Sequence, residues 1–147
     1  MKLQDKHKET IISTISMLFI VLFVYAASSK LMDFQQFKVQ LGQSPLLTAH
    51  ADWAVWMVPG IEYLLALLLL FEGLRSTALY GSFALMVMFT TYIVLVLHFS
   101  DYIPCSCGGV LEDLGWTEHI IFNLFFIVLS IVAILMLEDK KIKKLSP

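Results

Sequence analysis

The two cysteines of this 147-residue chain, Cys105 and Cys107, are separated by a single residue. They lie in a short polar stretch between two long apolar runs. In an extended segment, residues i and i+2 point to the same side, so the two sulfur atoms can approach each other. A disulfide across one residue closes a very small ring, and strained, exposed disulfides are the easily reduced ones. The spacing therefore favours thiol–disulfide exchange over a structural disulfide, which would remove more chain entropy across a longer loop.

Two other interpretations of this pair stay open. The cysteines can be small exposed loop residues without a chemical role, and the acidic loop around them works against a thiolate. They can also join His98 and His119 in a Cys2His2 metal site, but the spacing differs from the usual zinc signatures, so we predict no metal. If a helical turn follows Cys107, it favours the thiolate there. We therefore expect Cys107 to attack and Cys105 to resolve.

The elements that must position the cysteines are membrane-spanning helices. The chain is 59% hydrophobic and 15% charged, whereas soluble domains have about 45–50% apolar and about 25% charged residues. Four apolar runs are close to the ~20 residues that cross a bilayer as a helix. Only helices satisfy the backbone of such runs in lipid. We predict an all-α integral membrane four-helix bundle, one domain over residues 1–147, with spans at about 11–29, 53–71, 79–99 and 118–137. It contacts the lipid bilayer and no nucleic acid. A signal peptide cleaved before Ala27 is the alternative for the first run.

The positive charges predict the orientation of these spans. Eight of the ten Lys and Arg residues lie before the first run, between the second and third, or after the fourth. The positive-inside rule then places both termini in the cytoplasm and the cysteine loop outside. In a bacterium the protein would be a multi-pass protein of the inner membrane, with its cysteine loop in the oxidising periplasm. The eight residues are Lys2, Lys6, Lys8, Arg75, Lys140, Lys141, Lys143 and Lys144.

The connections carry further patterns. Apolar residues at helical spacing over 31–41 predict a short amphipathic helix lying in the outer interface after the first span. Lys30, just before it, is expected to extend its side chain to the interface. Trp53 and Trp56 sit where an aromatic belt would anchor the second span. Residues 72–78 predict a tight turn, and Thr117 is the expected N-cap of the last helix.

Polar residues inside the spans are candidates for a supporting role. Glu62 lies within an apolar helix, where an intramembrane carboxylate indicates either a structural hydrogen bond or a functional proton site. We expect Glu62 to be buried against other helices. Polar residues also share one face of the third span and one face of the fourth, which predicts hydrogen bonds between helices. These residues are Tyr80, Thr91 and His98 on the third, and Trp116, His119, Asn123 and Ser130 on the fourth. His98 and His119 flank the cysteine loop and are suited to exchange protons with a thiol or a quinone.

Several segments together resemble the MauE/DoxX family of four-helix membrane proteins. They are residues 26–34, Ser44-Pro45-Leu46-Leu47, Pro59-Gly60-Ile61-Glu62 and Cys105-Ser106-Cys107-Gly108. The resemblance implies that the protein supports disulfide formation or electron transfer for periplasmic partners. It also suggests comparison with four-helix vitamin K epoxide reductase and disulfide-forming membrane enzymes, which pass electrons to quinone. By position, Cys105 and Cys107 would be the redox pair. Lys30, Asp33 and Glu62 match the family pattern without an assigned role.

The chain departs from that pattern in two ways. Gly108-Gly109 follow the second cysteine where relatives commonly have an aromatic residue. The chain also lacks the second cysteine pair of the full disulfide-forming enzymes, which puts direct coupling to quinone in doubt.

Our hypothesis is a membrane-embedded thiol–disulfide redox protein, of the oxidoreductase type if it acts as an enzyme. Cys105 and Cys107 would exchange with a periplasmic thioredoxin-like or disulfide-bearing protein, with a quinone as the expected electron acceptor. Supporting residues would be His98, His119, Glu62 and Asn123. The alternative is a non-enzymatic inner-membrane subunit that assembles or anchors a larger envelope complex, with segment 31–41 and the acidic loop as its docking surfaces.

Overall fold

Five α-helices account for most of the chain that the structure describes. The structure, a computed structural model, describes residues 2–43, 48–99 and 115–145. Four of its helices are long and apolar enough to span a membrane, and the described residues contain no strand. The predicted all-α fold with four membrane spans is therefore confirmed. The helices are α1 (Lys2–Met32), α2 (Phe34–Gln43), α3 (Ala51–Leu69), α4 (Arg75–Phe99) and α5 (Trp116–Leu145), with a 3-10 turn at Thr48–His50.

The four long helices alternate in direction, so the bundle has two distinct ends. At one end the start of α1 lies beside the end of α5, where Lys8 pairs with Asp139 and Lys140 Nζ lies 3.0 Å from Glu9 Oε1. The turn at residues 70–74 joins α3 to α4 at the same end. We call this the basic end. At the opposite, distal end, α1 and α4 finish and α3 and α5 begin.

Close apolar packing holds the long helices together. α1 packs mainly against α3 and α4 mainly against α5, while α1–α5 and α3–α4 contacts close the bundle. Phe19 and Phe23 of α1 are fully buried, and the ring of Phe126 meets Phe19 edge-on with centroids 5.2 Å apart. Lipid tails are as apolar as these side chains, so close packing rather than exclusion of water must stabilise the contacts.

The short helix α2 packs against the start of α3. Phe37 and Leu41 are buried there, and Lys38 Nζ lies 2.8 Å from Asp52 Oδ1. A helix in this region was predicted over 31–41. In the structure α1 instead continues through Met32, so Leu31 is exposed rather than part of the buried face.

The start of α5 differs from the prediction. The helix begins at Trp116, and the backbone N–H of His119 donates to the carbonyl of Gly115 at 3.0 Å. Gly115 therefore occupies the cap position and Thr117 lies inside the first turn, so the predicted Thr117 cap is wrong. Glycine is itself an accepted N-cap residue.

Candidate functional site

A buried ion pair joins α1 to α3 inside the bundle. Lys30 Nζ lies 2.7 Å from Glu62 Oε1, and the side chains are 11% and 1% exposed. Glu62 comes eleven residues after the start of α3, which is about 16 Å along the helix axis. A bilayer core about 30 Å thick would place this carboxylate near its middle. The predicted burial of Glu62 is confirmed, and its partner is Lys30.

Helix geometry explains why these two side chains converge. In an α-helix each Cα–Cβ bond tilts toward the helix N-terminus. α1 ends at the distal end, so the side chain of Lys30 tilts inward from that end. α3 begins at the distal end, so the side chain of Glu62 tilts toward Lys30. The expectation that Lys30 extends to the interface is wrong, because its ammonium is directed into the bundle and bonded to Glu62.

α4 and α5 complete the surroundings of the pair. The ring centroid of Phe89 lies 5.7 Å from Lys30 Nζ, within the range of a cation–π contact. His119 is half-buried and close enough to Lys30 to interact with its charge. Asn123 lies one turn farther along α5 and is 3% exposed. All four long helices thus contribute to the surroundings of the pair. We call the pair, Phe89 and His119, together with Asn123 on the next turn of α5, the Lys30–Glu62 site.

Two polar atoms of this site lack a hydrogen-bond partner. Within the described part of the chain, Glu62 Oε2 and Asn123 Nδ2 are both buried and unpaired. Lys30 has three N–H donors, and besides its bond to Glu62 it donates to the carbonyl of Ala26 at 3.4 Å. Buried polar atoms are nearly always paired, because leaving them unpaired costs free energy. The site therefore holds an open acceptor and an open donor.

The predicted redox cysteines, Cys105 and Cys107, lie outside the described residues. The structure does describe the helices on either side of them: α4 ends at Phe99 and α5 begins at Trp116. Both positions are at the distal end, so the connection that carries the cysteines leaves and rejoins the bundle at the end where Lys30 and His119 lie. Among the described residues no group of three or more His, Cys, Asp or Glu could hold a metal ion.

The other predicted supporting histidine is placed differently. His98 lies near the end of α4, is exposed, and its Nδ1 lies 3.0 Å from the carbonyl oxygen of Val94 on its own helix. The structure does not bring His98 into the Lys30–Glu62 site. Its role next to the cysteine loop stays a prediction.

Two hydroxyl groups on the polar faces of α4 and α5 bond to their own helix rather than to a neighbouring one. Thr91 donates to the carbonyl of Val87 at 2.8 Å, and Ser130 donates to that of Ile127 at 2.7 Å. Hydroxyl side chains in helices readily satisfy themselves on the preceding turn in this way. Tyr80 is about half exposed, so the α4 face points outward, whereas Asn123 and Ser130 on α5 are buried. The polar contacts that do cross between α1 and α3 come from Ser28 with Tyr63 and from Lys30 with Glu62.

Residues 8–136 match the family described as methylamine utilisation protein MauE. The match includes residues of all four long helices. The chain belongs to the MauE family. As a MauE-family protein with four candidate spans, it is a multi-pass membrane protein. The resemblance drawn from the sequence is confirmed for MauE, and its DoxX part stays a prediction. No curated protein and no solved structure matches the chain.

Proposed function

We propose that this MauE-family protein exchanges disulfides or electrons with a soluble partner through Cys105 and Cys107. One observation carries the proposal: α4 ends and α5 begins at the distal end, and the sequence between them contains both cysteines. The family description links these proteins to methylamine utilisation, so a thioredoxin-like or disulfide-bearing protein of that process is the partner we propose.

The exchange needs only the two thiols and the partner's disulfide. The thiolate of Cys107 attacks one partner sulfur, which forms a mixed disulfide and releases the other partner sulfur as a thiolate. Cys105 then attacks the sulfur of Cys107, which forms the Cys105–Cys107 disulfide and frees the second partner thiolate. Two electrons pass to the partner, and the reverse sequence oxidises it. The imidazole of His119 is suited to take up or return a thiol proton, because a histidine ring nitrogen can donate or accept one.

A quinone is the electron acceptor that we propose, separately from the thiol exchange. The Lys30–Glu62 site is too closely packed to hold a quinone ring. Glu62 is 1% exposed, so no ring-sized space adjoins its carboxylate. A groove of about 380 Å³ lies instead on the outer surface of α3, lined by Trp53, Trp56, Gly60 and neighbouring residues.

The location we propose is the bacterial inner membrane, with the distal end in the periplasm. Lys and Arg concentrated at the basic end support this orientation, because cytoplasmic connections carry the excess of positive charge. Periplasmic thiols can form lasting disulfides, whereas cytosolic ones are kept reduced.

The test uses purified protein in lipid nanodiscs with a disulfide-bridged peptide that fluoresces on reduction. The reduced wild type and the matched control Ser106→Ala should both reduce the peptide. Cys105→Ser and Cys107→Ser should fall to the background rate while keeping the helical circular dichroism of the wild type. Wild-type rates in both cysteine variants would refute the redox proposal.

The second candidate function is a non-enzymatic subunit that anchors an envelope complex, and the placement of α2 favours it. Phe34 stacks near Trp56 with ring centroids 4.8 Å apart, and Phe37 is buried. These phenylalanines therefore fix α2 to α3 and are not free to dock a partner. Val39 is 55% exposed and belongs to the outward face. On this account Val39→Lys blocks function in cells, while a double Cys→Ser variant is normal.

A further inference from the structure

The Lys30–Glu62 site is built to bind something very small. Glu62 Oε2 is buried without a donor, although the other carboxylate oxygen is bonded to an ammonium. The side chains of Lys30 and Glu62 are 11% and 1% exposed, which leaves little room for a molecule beside the carboxylate. A proton needs no room. It is the ligand that the open oxygen can accept without displacing any side chain.

We infer that Lys30 and Glu62 form a proton-binding site at membrane depth, which takes up a proton on Glu62 Oε2 and exchanges it with the distal side past His119. Uptake forms an O–H bond at Oε2 and changes the net charge of the pair from zero to plus one. The attraction that holds Lys30 to Glu62 then weakens. The proton comes from water at the distal end and returns there, so no oxidant or reductant takes part.

The surroundings of the pair favour such an exchange. An ion pair removed from water is stable only when its geometry repays the cost of desolvation, and here one carboxylate oxygen receives no bond. His119 on α5 is half-buried and close enough to Lys30 to interact with its charge. It lies three residues after the start of α5, which begins at the distal end. α4 contributes the ring of Phe89, which favours the positive charge that remains after uptake.

The test is infrared difference spectroscopy on the full chain in lipid nanodiscs, stepped between about pH 5 and about pH 8, where histidine also titrates. The glutamate side chains carry ¹³C at the carboxyl group, which identifies their carbonyl band. In the wild type, a protonated glutamic acid band should grow as the pH falls, and it should exchange slowly with deuterium because Glu62 is buried. Glu118→Gln is the matched control, because Glu118 is exposed on the first turn of α5, and it should keep the band.

The spectra of the variants decide whether Glu62 binds the proton. Loss of the slowly exchanging band in Glu62→Gln supports the site, and its persistence there overturns the assignment. If Glu62→Gln does not fold, the wild-type spectrum decides alone: a band that never appears across the range means a permanent ion pair and refutes proton binding. His119→Gln should slow deuterium exchange of the band, and an unchanged rate overturns the route. The Cys105→Ser/Cys107→Ser variant should keep the band, so this inference stands or falls separately from thiol exchange.

Discussion

The buried ion pair predicts a large loss of stability when Lys30 alone is replaced. Lys30→Met keeps most of the side-chain length and removes the ammonium. Glu62, which is 1% exposed, then loses the bond at Oε1 while Oε2 already has none. Removing one partner of a buried pair costs about 3–5 kcal/mol. Protonation of the orphaned carboxyl limits the penalty, so we expect a loss of about 3 kcal/mol.

The chain contains a matched control for this substitution. Lys38 and Asp52 also join two helices, and their N–O distance of 2.8 Å is almost the same as the 2.7 Å of the buried pair. Their side chains, however, are 47% and 86% exposed. Pairs exposed to water contribute about 1 kcal/mol or less, so Lys38→Met should be nearly neutral. The double variant Lys30→Met/Glu62→Leu removes both buried charges and should recover most of the loss, because replacing a whole buried pair by apolar residues is often neutral or stabilising.

The assay is unfolding of the purified protein in mixed micelles with increasing SDS, followed by circular dichroism. The expected order of stability places the wild type, Lys38→Met and the double variant close together, with Lys30→Met well below them. Equal, small losses for Lys30→Met and Lys38→Met would refute the argument that burial makes the Lys30–Glu62 pair different. A double variant as unstable as Lys30→Met would also contradict it.

The remaining predictions concern packing. A Cβ at Gly81 would lie 2.7 Å from Leu65 Cδ2, which is the end of a flexible side chain, so Gly81→Ala should cost little stability. The larger side chain of Gly81→Val should cost about 1–3 kcal/mol in the same SDS assay. Equal losses for the two variants would contradict a close approach of α3 and α4. Ser130→Ala should cost about 1 kcal/mol or less, because the hydroxyl of Ser130 bonds the carbonyl of Ile127 on its own helix; a larger loss would indicate a contact between helices. Phe37→Ala should cost about 3 kcal/mol and speed hydrogen exchange in α2, and unchanged exchange would show that Phe37 does not fix α2 to α3.

The spans were predictable because long apolar runs allow only helices in lipid. The ends of the spans were less predictable. The first span was expected to start near residue 11, yet α1 begins at Lys2. The polar first turns of α1 are helical because they pair with the polar end of α5, as in Lys8 with Asp139 and Lys140 with Glu9. Such pairing depends on which helices are neighbours, and apolar run length carries no information about that.

Of the buried ion pair, the sequence predicts only Glu62, because a single segment does not show which helices are neighbours. Glu62 stands out in the sequence as a carboxylate inside an apolar run. Lys30 was assigned to the interface because it ends such a run, and nothing in its own segment indicates that α3 lies beside it. The signal that could have joined them is a positive charge at the end of one span and a carboxylate inside a span predicted to be its neighbour, together with the inward tilt of side chains on antiparallel helices. The unpaired atoms of Glu62 and Asn123 become visible only in the packed bundle.

The central claim, a working redox pair facing outward, is tested most directly by trapping thiols in intact cells. A mass-tagging alkylator that does not cross the membrane would be added before and after a brief pulse of reductant. We expect Cys105 and Cys107 to start oxidised, to become taggable after the pulse, and to reoxidise soon after the reductant is removed. Two cysteines that stay reduced and accessible throughout would contradict it.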